Sequence, residues 1–264
     1  MTETKFSTPA DGPVRVEELD DGAIWRVQLA TPKANIVDMA KTEVLSGIFE
    51  RAAESVDLKA VILEGQGPHF SFGASVPEHL PGSFEAMLRG FHGVFLRMLD
   101  ASVVTLAAVR GQCLGGGLEL VTFCNRIFAS PDAKLGQPEI VLGVFAPVAS
   151  VVLADRVGRG RAEDICLSGR SLGAEEALAI GLVDQIADDP GEAALAYARE
   201  HLLPKSASSL RLAVRAARHG FDERFRREIA EVERQYAEDL MATADAVEGL
   251  NAFLQKRQPE WKNS

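Results

Sequence analysis

Short apolar runs alternate with helical patterns through the first half of this 264-residue chain, and most of the loops between them carry glycine. The runs at Lys59–Leu63, Val103–Val109 and Arg126–Ala129 have the length of buried strands. Helical patterns run from Asp38, a candidate N-cap, to about Ser55, from Ser83 to Asp100, and onward from the triple glycine at 115–117. Ahead of them, Val14–Leu19 and Ile24–Leu29 alternate around Asp20-Asp-Gly22 and predict a hairpin. Strands joined through helices require right-handed crossovers, which restricts the chain to an α/β fold of successive βαβ turns. After Val183–Ile186 the strand signals stop, and helical patterns fill Ala193–Leu203, Ala207–His219, Arg224–Met241 and Ala244–Gln255. The expected division is a core over residues 1–192 and a helical region over 193–264.

Bulk properties remove several functions. With 47% apolar and 25% charged residues the chain reads as an ordinary soluble globular protein. A formal charge of −10 repels phosphates over most of the surface, which argues against nucleic acid and anionic membranes as partners. Cys113, Cys124 and Cys166 are odd in number and show no ligand spacing, so reduced thiols in a cytoplasmic protein are expected. The start, Met1–Phe6, has no apolar signal region, and no later apolar run has the length of a membrane span. His69, His79, His92, His201 and His219 are scattered, so no metal site is expected, and His69 reads as a solvated loop residue.

Two glutamates carry the chemical signal. Glu119 follows Gly111-Gln-Cys-Leu-Gly-Gly-Gly-Leu, where side chains vanish just as a helix begins, so backbone N–H groups can approach a ligand. Glu139 stands between Pro138 and Ile140 in an apolar stretch that a solvated glutamate rarely occupies. Bare N–H groups beside two carboxylates suit a site that holds an oxygen anion and moves a proton. Each feature has a plainer use: glycines permit tight packing, and a carboxylate on a first helical turn complements the dipole. The loop Gly67–Ser75 is a second glycine turn after a strand, and its Ala74 N–H can face the one at Gly116. Among the later helices, the one from Arg224 mixes arginine and glutamate on a solvated face around an apolar stripe of Phe225, Ile229, Val232 and Tyr236. That stripe packs on the core or on another subunit.

Five segments in order resemble the crotonase (enoyl-CoA hydratase/isomerase) superfamily over nearly the whole chain. They are Pro32–Asn35, Phe70–Ser75, Gly111–Leu120, Leu135–Gly143, and Ser168–Ala177 followed by Gly181–Asp184. The resemblance implies a ββα spiral core and a C-terminal helical region that trimerises, often into a dimer of trimers. It implies an acyl-CoA thioester as substrate, with CoA part of the substrate and no separate cofactor. It places the oxyanion hole at the N–H groups of Ala74 and Gly116, and makes Glu119 and Glu139 the pair that holds water and shuttles its protons. Isomerases of the family commonly keep only the carboxylate at the position of Glu139, so the presence of both favours hydration.

The chain departs from the family pattern in two places. Val144–Ser150, containing Pro147, stands where hydratases carry Gly-Gly, and Ser75 and Pro77 replace the Asp and Lys after the first oxyanion loop, which removes the usual lysine contact to CoA. These segments resemble the group that hydrates cyclohexa-1,5-diene-1-carbonyl-CoA by 1,4-addition in anaerobic benzoyl-CoA degradation. Expected substrate contacts are then Phe72, Ser75, Gly115, Phe145 and Pro147, the two phenylalanines offering flat apolar surface to a ring. The other readings are a general enoyl-CoA hydratase or isomerase for linear chains and a non-catalytic crotonase-fold scaffold or RNA-binding protein.

Overall fold

The computed structural model describes residues 12–31 and 33–264; Pro32, the first residue of one of the five segments, lies outside them, as do residues 1–11. Strand β1 (Val14–Leu19) pairs antiparallel with β2 (Ile24–Leu29). The turn between them takes Asp20, Asp21 and Gly22 through positive φ, a conformation these residue types tolerate. Helix α1 (Met39–Glu54) begins where the Asp38 carboxylate accepts the Lys41 N–H at 2.9 Å. Then come β3 (Ala60–Gly65), α2 (Phe84–Ala101), β4 (Val104–Val109), β5 (Gln112–Leu114), α3 (Gly116–Thr122), β6 (Arg126–Ala129) and β7 (Lys134–Gly136). The second half holds α4 (Pro147–Val157), α5 (Arg159–Ser168), β8 (Ser171–Gly173), α6 (Ala174–Ala179) and β9 (Gln185–Ile186). Helices α7 (Pro190–Tyr197), α8 (Ala207–Ala217), α9 (His219–Arg234) and α10 (Ala244–Leu254) follow.

The larger sheet has the order β1-β2-β3-β4-β6-β9, and every pairing after the hairpin is parallel. Each strand lies beside its predecessor in that sheet, so the path advances in one direction as a spiral. Strands β5, β7 and β8 form a second, smaller sheet. Parallel bridges Val37 to Ala74 and Ser71 to Cys113 continue this short layer back through the earlier turns. One turn of the spiral is therefore a long strand, a short extended segment and a helix. The loops that carry Ala74 and Gly116 both issue from the short layer, which stacks them.

One face of the larger sheet packs on α1 and α2 through Leu45, Phe49, Val61, Leu63 and Phe95. The other is covered by Ala194, Leu195 and Ala198 against Ile62, Leu106 and Phe128. Position 193 thus lies inside a sheet-covering helix. The α9 stripe does not await another subunit. Phe225 and Ile229 are buried in the chain's own core, with the Phe225 ring 5.0 Å from that of Phe123, and Tyr236 is fully buried as well. Of the two covers expected for that stripe, the core or another subunit, the chain's own core supplies it. Helix α9 also starts five residues earlier than the pattern from Arg224 suggests, and it ends in a π-helical turn, Gln235–Leu240.

Phe225→Ala removes a fully buried ring from this junction, and the expected loss is about 3–5 kcal/mol. Urea unfolding followed by circular dichroism measures it; a loss below about 1 kcal/mol would show that α9 is not part of the folding core.

Candidate active site

The triple glycine lets two loops meet at backbone distance. Gly115 has φ 51°, and a Cβ there would lie 2.3 Å from Oε1 of Glu139. Its N–H donates to the Gly136 carbonyl at 2.9 Å, which ties the start of α3 to the end of β7. Three residues beyond Gly136, on a 3-10 turn opened by Pro138, Glu139 is laid over Gly115. A Cβ on Gly116 would meet Ala74 N and the Phe91 ring, both at 3.3 Å. On either side of Ala74, Gly73 O accepts from Val37 N–H at 2.9 Å and Ser75 N–H donates to Val37 O at 3.3 Å. The Ala74 N–H consequently faces away from Val37, toward Gly116, and the Gly116 N–H is one of the unpaired donors of a helix start.

Glu119 and Glu139 share this pocket on unequal terms. Glu119 is 3% exposed, and its Oε1 accepts from the Ala149 N–H at 2.9 Å. The neighbouring Val148 N–H also favours its charged form. Both donors belong to the first turn of α4, which Pro147 opens at a position where its missing N–H is no loss. Burial raises the Glu119 pKa, opposed by the Ala149 N–H, the nearby His92 and the Val148 N–H. Glu139 is partly exposed as a residue, yet its Oε2 is sealed from solvent and has no partner. Burial, and then the negative charge of Glu119, push its pKa up to about 8. Burial raises both carboxyls and each like charge resists the other, so the pair favours keeping one proton between them; Glu119 has the Ala149 N–H to support its charge, whereas Oε2 of Glu139 has no partner. The Cys166 thiol is pushed up to about 12 by burial and by the same two carboxylates.

The remaining expected residues are distributed around this centre. Phe145 packs its ring on Tyr236 at 5.2 Å. Pro147 is buried at the head of α4. Ser75 turns its carbonyl to His79 Nδ1 at 2.8 Å. Phe72 is 41% exposed and meets the His69 ring edge-on at 5.0 Å. His69 is not a free solvated side chain, because its Nδ1 accepts the Gln112 N–H at 3.2 Å and pins the loop to β5.

Three polar groups escape the sequence reading. His92 is 3% exposed and hydrogen-bonds Glu233 at 2.6 Å across 141 residues, a separation no local spacing can reveal. Gln137, two residues before Glu139, is buried with both amide atoms unpartnered. Tyr236 is fully buried with an unpartnered hydroxyl. Its place in an apolar stripe marks it as core, and only the hydroxyl distinguishes it from the phenylalanines there. A surface hollow of about 390 Å³, lined by Asp245, Glu248, Asn251 and Lys262 among others, lies against α10 and contains none of these groups.

Residues 20–264 match the family model described as enoyl-CoA hydratase/isomerase, so the chain belongs to that family. A cyclohexa-1,5-dienecarbonyl-CoA hydratase of Thauera aromatica is 51% identical over 254 residues, covering 96% of this chain and 98% of the relative. Among solved structures, DspI of Pseudomonas aeruginosa aligns with a TM-score of 0.77 at 30% identity, over 99% of this chain and 100% of that one. An enoyl-CoA hydratase/isomerase from Pseudoalteromonas atlantica aligns with a TM-score of 0.85 over 94% of this chain and 99% of that one; at 24% identity it supports the fold alone.

The raised Glu139 pKa has a consequence for stability. As pH rises, the carboxyl ionises first in the unfolded chain, near the ordinary 4.5, and only near 8 in the folded one. The stability it contributes is present at low pH and lost across that window. Glu139→Gln removes the dependence, so its Tm should match the parent near pH 4.5 and exceed it increasingly toward pH 8. Scanning calorimetry across the window tests this, and identical curves at pH 8 would contradict the burial of this carboxyl.

Proposed function

We propose that this member of the enoyl-CoA hydratase/isomerase family is a hydro-lyase that adds water to cyclohexa-1,5-diene-1-carbonyl-CoA, giving 6-hydroxycyclohex-1-ene-1-carbonyl-CoA in anaerobic benzoyl-CoA degradation. The observation that carries the reading is the buried, coupled pair: Glu119 held by the Ala149 N–H, taken as the base, and Glu139 with an unpartnered Oε2, taken as the acid. The high identity to the Thauera hydratase supports the ring substrate over a linear chain.

The reaction follows from the unequal pair. Glu119 takes a proton from water while the oxygen bonds to the ring carbon β to the thioester carbonyl. Charge moves onto the thioester oxygen and across the second double bond, giving a dienolate. The Ala74 and Gly116 N–H groups receive that oxygen, each such donor contributing roughly 3 kcal/mol. Glu139 then gives its proton to the carbon opposite the new hydroxyl, and the remaining double bond comes to lie next to the thioester carbon. The sum is one water added. Glu119 has gained a proton and Glu139 has lost one, and passing it back resets the pair. Ser75, Gly115, Phe145 and Pro147 form the acyl side of the pocket in this reading, with Phe72 at its rim. Hydration is redox-neutral and balances with water alone, so no cofactor beyond the CoA of the substrate enters the proposal.

A homotrimer, or a dimer of trimers, is the assembly proposed. Val141 and Leu167, 58% and 69% exposed, offer apolar surface for it, Val141 lying on the 3-10 turn that carries Glu139. Among the described residues no helix is long and apolar enough to cross a membrane. Three free cysteines fit the cytoplasmic location of this reading, and the net charge of −10 argues against nucleic-acid and anionic-membrane partners.

The deciding measurement is kcat/KM for the cyclic dienoyl-CoA against crotonyl-CoA. A marked preference for the ring is expected; preference for crotonyl-CoA would make this a general hydratase, and inactivity on both a scaffold. Glu119→Gln and Glu139→Gln should each fold and lose roughly 10²–10⁴-fold in turnover. Light scattering should give a trimer or hexamer mass, and a clean monomer would refute the assembly.

A further inference from the structure

We propose that the Tyr236 hydroxyl binds the oxygen being added, as water before attack and as the ring hydroxyl afterwards. The proposal deepens the hydratase reading above and rests on it. Tyr236 is fully buried, and its hydroxyl oxygen has no hydrogen-bond partner in the folded chain. A buried hydroxyl without a partner costs stability, and phenylalanine would fill the same space without that cost. The hydroxyl therefore calls for a ligand.

Its neighbours place its ring beside the turn that carries Glu139, and its hydroxyl is electrostatically coupled to both glutamates. The Tyr236 ring meets Phe145 at 5.2 Å and an interplanar angle of 71°, and Phe84 at 6.3 Å. Phe145 directly follows Val144, whose N–H donates to the Glu139 carbonyl at 3.2 Å, so the ring is packed against the turn that carries the acid. The residue lies in the π-helical turn Gln235–Leu240, a local widening common at functional sites. One turn earlier, Glu233 is fastened to His92 at 2.6 Å, which anchors this part of the chain to α2.

The chemistry leaves a vacancy of matching kind. A carboxylate acting as base accepts one hydrogen of the water and does nothing to fix its oxygen. That oxygen has two lone pairs, one to attack carbon and one to accept a hydrogen bond. Burial, then the charges of Glu139 and Glu119, raise the Tyr236 pKa, so the phenol stays protonated and serves as a donor. Its proton never leaves, and the balance between the two glutamates is unchanged.

The test separates the oxygen from the rest of the substrate. With Glu139→Gln as a background that halts turnover, calorimetry compares binding of 6-hydroxycyclohex-1-ene-1-carbonyl-CoA with that of cyclohex-1-ene-1-carbonyl-CoA, which lacks the hydroxyl. Adding Tyr236→Phe should weaken the hydroxylated thioester about tenfold and leave the other within about twofold, the difference expected for one lost hydrogen bond. In the otherwise parental protein, Tyr236→Phe should lower kcat on the cyclic diene at least tenfold with KM nearly unchanged and a Tm at or above the parent's. Equal weakening of both thioesters, or of neither, overturns the proposal. So does a Tyr236→Phe protein that matches an active parent, whereas a parent inactive on the cyclic diene overturns the hydratase reading with it.

Discussion

A carboxylate shut away from water must find its hydrogen bonds in the backbone, and the pocket is organised around the place where Glu119 finds them. The first-turn N–H groups of a helix have no partners within it, and those of Val148 and Ala149 are turned on Glu119. This fixes α3 against α4 at one end. Near the other end of α4, Arg156 donates to the Thr122 carbonyl at 2.9 Å and reaches Asp184 at 3.5 Å. Asp184 in turn accepts the Ile127 N–H of β6 at 2.7 Å. A single buried charge is thereby tied through two helices into the larger sheet, and its position is as rigid as the spiral itself.

The two glutamates are both desolvated, so burial alone cannot give them different roles. The difference lies in the donors. Glu119 has two N–H groups that favour its charged form, while Glu139 has the bare backbone of Gly115 beneath it, an unpartnered Oε2 and the Glu119 charge nearby. Two like charges in a dry pocket disfavour each other, and the better-bonded group is the one better able to hold the charge. The proposed assignment of base and acid rests on which carboxylate faces a helix start and which lies over glycine.

Much of this was legible in the sequence because the information is local. The hairpin, the Asp38 cap and the helix after the triple glycine depend on neighbouring residues, and they form where the pattern placed them. The three-residue strands β5, β7 and β8 are too short to show a period, so the smaller sheet that stacks Ala74 on Gly116 had no signal of its own. Partners at long separations left no signal for the same reason. His92 meets Glu233 only through the packing of α9 on α2, and which of its two expected covers the α9 stripe takes was open because that cover, Phe95 and Phe123, lies a hundred residues or more away. The hydroxyl of Tyr236 was hidden by the very pattern that explains its ring.

The proposed 1,4-addition places a demand on this rigidity that ordinary hydration does not. Adding water to a simple enoyl thioester delivers oxygen and proton to adjacent carbons, whereas the dienolate formed here has two carbons able to take the proton, one beside the thioester carbon and one across the ring. A free dienolate takes its proton faster at the carbon beside the thioester, so delivery across the ring must be imposed by the position of the acid. Glu139 cannot settle toward Gly115, because its Oε1 already sits where that residue's Cβ would be, and its turn is held at Val144 and capped by Gly143 at φ 73°. Glu119 is fixed from the opposite side by α4, whose start is set by Pro147 where related hydratases carry flexible glycines. An acid and a base that cannot follow the substrate deliver to the carbons they face, and a planar ring held between them presents carbons at a fixed separation. A proline at the mouth of α4, which fixes where that helix and its donor to Glu119 begin, thus suits the proposed pocket to the fixed width of a ring.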